Sequence, residues 1–143
     1  MEIEIEKITN ESIQKIAWAI RKEVFVIEQA CPEELEWEFE EESIHFIAKY
    51  NAEYVGTARY RKTGYGYKLE RIAVLKPFRK QGVASALIQA ILKELPQNET
   101  KYLHAQTQAK AVYDKNNFTA TGPLFDEAGI EHVKMIYQGS LGV

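Results

Sequence analysis

With 143 residues, 45% of them hydrophobic and 27% charged, the chain has the make-up of one ordinary globular domain, spanning residues 1–143 and able to bury roughly two-thirds of its unfolded surface. No apolar run approaches the roughly 18 residues of a membrane span, and the acidic, alternating start MEIEIEKITN lacks the basic and apolar regions of a secretory signal. The single cysteine, Cys31, cannot form an internal disulfide. A cytoplasmic protein with no membrane partner is therefore expected.

The net charge of -3 conceals an asymmetry. Residues 1–42 carry thirteen glutamates against Lys7, Lys15, Arg21 and Lys22, whereas the rest carries fourteen basic residues against eight acidic ones. Much of the basic excess lies in Arg59, Arg61, Lys62, Lys68, Arg71, Lys76, Arg79 and Lys80. The basic part suits an anionic cofactor, and the acidic part suits either a cationic substrate or plain solvation. A sequence pI of about 5.7 argues against a broad basic face, so no nucleic-acid partner is expected.

In chain order, Glu2 to Ile8 alternates Ile3 and Ile5 with glutamates, the pattern of a strand with one buried face. Thr9 or Asn10 can cap the helix that follows, and Ile13, Ile16, Ala17, Ile20 and Val24 recur at helical spacing as far as Val24 or Glu28. The segment CPEELEWEFEEES, from Cys31 to Ser43, reads as a short helix or a surface loop; its function would be to rim an acceptor pocket, its plain alternative a solvated loop pinned by Trp37 and Phe39. His45 to Tyr50 and Tyr54 to Arg61 form a hairpin around Asn51-Ala52-Glu53, and a turn at Thr63 to Gly66 leads into a third antiparallel strand.

That third strand opens the most informative stretch, LERIAVLKPFRKQGVASAL. Strict alternation puts Leu69, Arg71 and Ala73 on one face and Glu70, Ile72 and Val74 on the other, with Pro77 ending the strand. A helix beginning near Gln81 or Gly82 leaves its first N–H groups without intrahelical partners, which is an anion site. Gly82 allows a phosphate to approach closely, and Arg79 and Lys80 add complementary charge. Val83, Leu87, Ile88, Ile91, Leu92 and Leu95 mark one helix face, stopped by Pro96. Tyr102 to Thr107 reads as a strand, Gln108 to Lys115 as a helix capped at Asn116-Asn117, and Phe118 to Thr121 and Ile130 to Tyr137 as two last strands joined by a long connection through Gly122-Pro123 and Ala128-Gly129. The GSLGV tail is expected to fray, and the C-terminal strand edges offer a surface for a homodimer.

This order of elements resembles the GNAT (GCN-type N-acetyltransferase) superfamily, an α/β fold with a mixed, mostly antiparallel central sheet flanked by helices. Arg79-Lys80-Gln81-Gly82-Val83-Ala84 fits that family's signature [Gln/Arg]-x-x-Gly-x-[Gly/Ala]. The segments RKEVFVIEQACPEE, ESIHFIA, LERIAV, HAQTQAKAVYDKNNF and FDEAGIEHVKM are similar to those of its small bacterial ElaA/YjcF-like branch, along the whole chain. Three departures stand out: Asn117 where many relatives have Gly, Ala84 where Gly is frequent, and Glu38, Glu40 and Glu41 where relatives often use Asp.

The resemblance implies acetyl transfer from acetyl-CoA directly to a small primary amine, and a cationic one is expected if the acidic segment 33–42 lines the acceptor pocket. It implies a pantetheine arm lying along the backbone of Ile72, Ala73 and Val74 like an added strand. An amide near Val74 would serve as oxyanion donor. A pyrophosphate would be cradled by N–H groups from Gln81 through Gly82, Val83, Ala84 and Ser85 to Ala86, beside Arg79 and Lys80. Tyr113 would protonate the leaving thiolate, since a phenol and a thiolate have comparable basicity; otherwise it is a packed aromatic. For the base, Glu70 and His104 are the candidates, with a salt bridge from Glu70 to Arg59 or Arg61 as the structural alternative. Gln106 shares a strand face with His104, and with Glu28, Glu40 and Glu41 it completes the acceptor-side candidates. His45, His104 and His132 are widely separated in sequence, so a metal site is not expected. A non-catalytic acyl-CoA-binding sensor or interaction module is the alternative function.

Overall fold

The computed structural model describes residues 2–31 and 37–139. The elements in chain order are β1 (Ile3–Lys7), α1 (Glu11–Arg21) running on into a π-helical stretch (Lys22–Glu28), β2 (Ile44–Tyr50), β3 (Glu53–Lys62) and β4 (Tyr67–Val74). There follow α2 (Val83–Glu94), β5 (Lys101–Gln106), α3 (Lys110–Lys115), β6 (Phe118–Glu127) and β7 (Ile130–Tyr137). They build one seven-stranded sheet in the order β1-β2-β3-β4-β5-β7-β6, antiparallel throughout except where β4 meets β5. No helix among the described residues is long and apolar enough to cross a membrane. Of the acidic segment, residues 32–36 lie outside the described part, as do 140–143 of the tail.

Local chemistry explains most boundaries. The Asn10 side chain accepts from the N–H of Ile13 at 2.9 Å and so caps α1. Asn51 and Ala52 both have positive φ, as a tight hairpin turn requires. Asn117, with φ +69, follows α3 in the left-handed conformation that Gly and Asn adopt most readily. Helix α2 buries Val83, Leu87, Ile88 and Ile91 against one face of the sheet, and α1 buries Ala17 and Ile20 against Ile47 and Ala73 on the other. Gly56 permits the first contact: a Cβ there would lie 3.0 Å from Val83 Cγ1 and 3.1 Å from the Ala73 carbonyl oxygen.

Two expectations for the sheet are corrected. In β4, Thr57 pairs with Ala73 but Arg59 pairs with Glu70, so two residues, Arg71 and Ile72, oppose the single residue between them on β3. Arg71 adopts φ +55 at this bulge. The alternation therefore resets: Leu69, Ile72 and Val74 all join the α2 side, while Ala73 joins the α1 side. Leu69 and Ala73, expected on one face, lie on opposite faces. In the second correction, β6 runs through Gly122-Pro123 to Glu127, with its pairing interrupted between Thr121 and Phe125, so the expected long connection is only the tight turn at Ala128-Gly129.

The bulge sits where the sheet opens. Strands β4 and β5 pair only at Tyr67 with Lys101 and Lys68 with Tyr102, and then part. The gap between them forms the floor of the site.

Candidate active site

The parting strands, the π-helical stretch, the N-terminus of α2 and helix α3 enclose a cleft of about 870 Å³. Of the residues singled out from the sequence, Glu28, Glu70, Ile72, Ala73, Val74, Arg79, Lys80, Gly82, Val83, Ala84, Ser85, His104, Gln106 and Tyr113 line it. Gln81, Glu40 and Glu41 do not.

At one end, Lys80 (φ +64) and Gly82 (φ +92) turn the chain so that α2 starts with no side-chain cap. Gly82 is required by its backbone angle rather than by crowding, since a Cβ there would meet only Ile3 Cδ1, at 3.8 Å. The Ala86 N–H already donates to the Gly82 carbonyl at 3.0 Å, which takes Ala86 out of the expected cradle and leaves Val83, Ala84 and Ser85 as the open helical amides. Gln81 turns aside, where its Oε1 accepts from the Tyr50 hydroxyl at 3.4 Å. Arg79 is engaged too: its guanidinium forms a two-pronged pair with Glu28, both bonds at 2.7 Å, and its Nε donates to the Val74 carbonyl at 2.8 Å. The hydrogen bonds and charge of that pair lower the Glu28 carboxyl and raise the Arg79 guanidinium. Glu28, expected on the acceptor side, is paired with Arg79 at the cleft wall.

The strand edge follows from the peptide plane. Leu75 N–H donates to the Val55 carbonyl on β3, so the Val74 carbonyl in the same peptide unit points the other way, into the cleft. Within a strand, N–H and C=O of one residue share an edge. Ile72 and Val74 therefore present their polar backbone to the cleft, while Ala73, whose carbonyl lies beside Gly56, presents its own to β3.

Tyr113 closes the middle of the cleft, edge-to-face with Phe118 at 6.4 Å between ring centroids. Burial pushes its hydroxyl up to about 12, which keeps the proton on oxygen. Asn116 was read from the sequence only as a helix cap, yet it ties α3 to the cradle. It is buried, its Nδ2 donates to Ser85 Oγ at 3.0 Å and to the Val112 carbonyl at 2.7 Å, and its Oδ1 accepts from Gln89 at 2.9 Å.

The acceptor end differs most from expectation. Burial pushes the Glu70 carboxyl up, but the cations of Arg59, Arg61 and Lys68 outweigh it and hold the group at about 2. Arg59 donates to Glu70 Oε1 at 2.8 and 3.1 Å, Arg61 at 2.7 Å, and Lys68 lies 3.4 Å from Oε2. A carboxylate so engaged is a poor proton acceptor, and the salt-bridge alternative describes its surroundings. Glu40 is half-buried in the same network, accepting from Trp18, from Arg21 at 3.0 Å and from Arg59 at 2.8 Å, away from the cleft. Glu41 is exposed and lines neither cavity.

His104 projects from β5, and its Nδ1 lies 3.0 Å from Oε1 of Glu127 at the end of β6. That hydrogen bond, with help from the Lys68 charge, lowers the Glu127 carboxyl against the effect of burial. His132, on β7, lies 4.0 Å from the other Glu127 oxygen. Glu127 escaped the sequence reading because the end of β6 was taken for connection, and the nearness of His104 to His132 arises only once β7 inserts between β5 and β6. Gln106 exchanges hydrogen bonds with Gln29 at 2.9 and 3.4 Å and accepts from Gln108 at 2.9 Å. A second cavity of about 300 Å³ adjoins here, sharing Phe25, Gln29, Lys68, Glu70, Arg71, Gln106, Glu127 and His132 with the first and adding Cys31, Glu38, Phe39, Arg61, Ala128 and Ile130.

Comparison with known proteins agrees with this geometry. Residues 4–138 match the family model of the acetyltransferase (GNAT) domain. The uncharacterized N-acetyltransferase YjcF of Bacillus subtilis (strain 168) is 41% identical over 132 residues, covering 89% of this chain and 94% of that protein. Among solved structures, Escherichia coli ElaA superposes with a TM-score of 0.81 at 22% identity, over 96% of this chain and all of that one. A GNAT family acetyltransferase from Elizabethkingia anophelis, solved with acetyl-CoA bound, superposes with a TM-score of 0.66 at 20% identity, covering 94% of each chain.

Proposed function

The chain belongs to the GNAT acetyltransferase family, and on that premise we propose that it moves an acetyl group from acetyl-CoA directly to a small primary amine that arrives as its ammonium ion. The observation that carries this reading is a single cleft joining the uncapped α2 amides, the cleft-facing edge of Ile72 and Val74, and the proton-retaining hydroxyl of Tyr113.

The residues fit the cofactor. Val83, Ala84 and Ser85 amides, with Lys80 alongside, suit a pyrophosphate at a helix N-terminus. Ile72 and Val74 offer backbone donors and acceptors to an amide-bearing arm, and the Val74 N–H supports an oxyanion. When bound, acetyl-CoA supplies an activated acyl carbonyl and a thiolate leaving group. An alkylammonium, with a pKa of about 10, must first lose a proton. His104 is the base in this reading: the Glu127 carboxylate can only accept, so it fixes the hydrogen of His104 on Nδ1 and leaves Nε2 with a lone pair. The amine nitrogen then bonds to the acyl carbon, the carbon–sulfur bond breaks, and Tyr113 donates its proton to sulfur. The nitrogen's second proton and the one held by His104 leave to solvent, and Tyr113 is reprotonated from solvent. The net products are amide, CoA thiol and one proton.

Isothermal titration with CoA and acetyl-CoA, followed by a thiol-release assay across a panel of primary amines, tests the proposal. Cofactor binding with thiol release on at least one amine is expected. No binding at millimolar cofactor overturns the reading, and binding without release on any amine favours the acyl-CoA-binding sensor.

A further inference from the structure

The cleft has two faces of opposite chemistry, set by the side-chain alternation of the strands that border its gap. Strands β4 and β5 pair only as far as Lys68 with Tyr102, so the next residues, Leu69 and Leu103, are the first to flank the opening. Both line the cleft, and both belong to the apolar layer that α2 covers, with Val83, Leu87, Ile88 and Met135. Leu69 is 1% exposed and Leu103 2%, and Leu87, Ile88 and Met135 of the same layer are fully enclosed. Two leucines backed by filled core therefore floor the narrow end of the cleft. Their neighbours along the strands, Lys68, Glu70 and His104, line the cleft from the other face, the side on which the second cavity adjoins.

We propose that Leu69 and Leu103 are the stop for the acyl group, and that they restrict the protein to short acyl-CoA substrates: acetyl and propionyl are admitted, and chains as long as hexanoyl are refused. An arm held by the α2 amides and running past Val74 and then Ile72 heads toward the point where the strands converge. Its reactive end arrives over the two leucines. A methyl or ethyl group on the acyl carbon is buried against them, and a longer chain meets a layer already packed. The second cavity is a poor outlet for a hydrocarbon. Phe25, Phe39 and Ile130 share its lining with six lysine, arginine and glutamate side chains, Glu38 among them, which a hydrocarbon would strip of water. The inference rests on the acetyltransferase reading and adds to it a limit on the acyl group.

The test needs no turnover. CoA thioethers carrying ethyl, butyl and hexyl groups on sulfur cannot transfer their chains, and calorimetry with the full chain ranks them beside CoA itself. The hexyl compound should bind at least about tenfold more weakly than the ethyl one, the scale of over-filling a packed apolar site. Leu103→Ala frees room for roughly three methylenes and should bring the two to within about threefold. Leu87→Ala thins the same core layer at a position that does not line the cleft, and should leave the wild-type ranking in place. In methyl NMR of the wild-type protein, exchanging CoA for the ethyl thioether should move the signals of Leu69 and Leu103 and leave that of Leu95 unmoved. Hexyl binding equal to ethyl in the wild-type protein overturns the stop, as do unmoved Leu69 and Leu103 signals; neither result depends on a variant that folds. A wild-type ranking in folded Leu103→Ala overturns it too. Wild-type protein that binds neither CoA nor any of the thioethers overturns the acetyltransferase reading instead.

Discussion

Glu70 and Glu127 are two carboxylates lining one cleft, and their surroundings are opposite. Glu70 is met by Arg59, Arg61 and Lys68, so its acceptor capacity is spent on the protein itself. Glu127 takes one short hydrogen bond, from His104, and has an oxygen to spare beside His132. The difference teaches that a carboxylate in a cleft is identified as chemical machinery by its unspent hydrogen-bonding capacity, not by its presence. A saturated carboxylate holds the wall.

If that contrast is sound, the largest effect comes from the saturated partner. Glu70→Leu leaves the buried Arg59 undercompensated and should cost about 3–5 kcal/mol in denaturant unfolding. The wild-type protein should show the same dependence on acid. A carboxyl lowered from 4.5 to about 2 by folding stabilises fully above the unfolded value, and that contribution, roughly 3 kcal/mol, disappears as pH falls through the window between them. Unchanged stability of Glu70→Leu with loss of turnover alone would break the contrast. Next in size, Tyr113→Phe should lower kcat about 100-fold in single-turnover assays while the Kd for acetyl-CoA stays put. An unaltered rate would remove the acid from Tyr113. The smallest effect belongs to Glu28→Gln, which releases Arg79 for the cofactor. Because the pair is partly exposed, calorimetry should show CoA binding tightened by no more than about fivefold.

Much of the fold was legible because its signals are local. The Ile3–Ile5 alternation, the Asn10 cap, the Asn51-Ala52 turn and the glycine turn before α2 each act within a few residues, and each stands where the pattern put it. The bulge was not legible: no glycine marks it, and an extra residue in β4 is defined only by what β3 places opposite it. The end of β6 was hidden because Gly122-Pro123 carries the residues of a connection while serving as an irregularity inside a strand. Glu40 looked like part of a solvated acidic run, yet Trp18, Arg21 and Arg59, from two other elements, supply the donors that draw it inward. The cofactor end, built from consecutive residues, could be read. The other end of the cleft, assembled from the π-helical stretch and strands β3 to β7, could not.

The bulge at Arg71 also divides β4 into two lengths of chain that can vary independently. Because the extra residue resets which way side chains face, Lys68, which lines both cavities, can be exchanged without re-aiming the backbone of Ile72 and Val74, while Leu69 stays in the core and Glu70 in its ion network. Substitution in the first half and constancy in the second are thus compatible in one strand. Deleting a single residue at the bulge would couple them: it would turn Glu70 from the α1 side into the apolar layer under α2, or else turn Ala73, Ile72 and Val74 over together. A set of substitutions at Lys68, with Leu69, Glu70 and the length of β4 preserved, is the natural starting point for changing what this protein acylates.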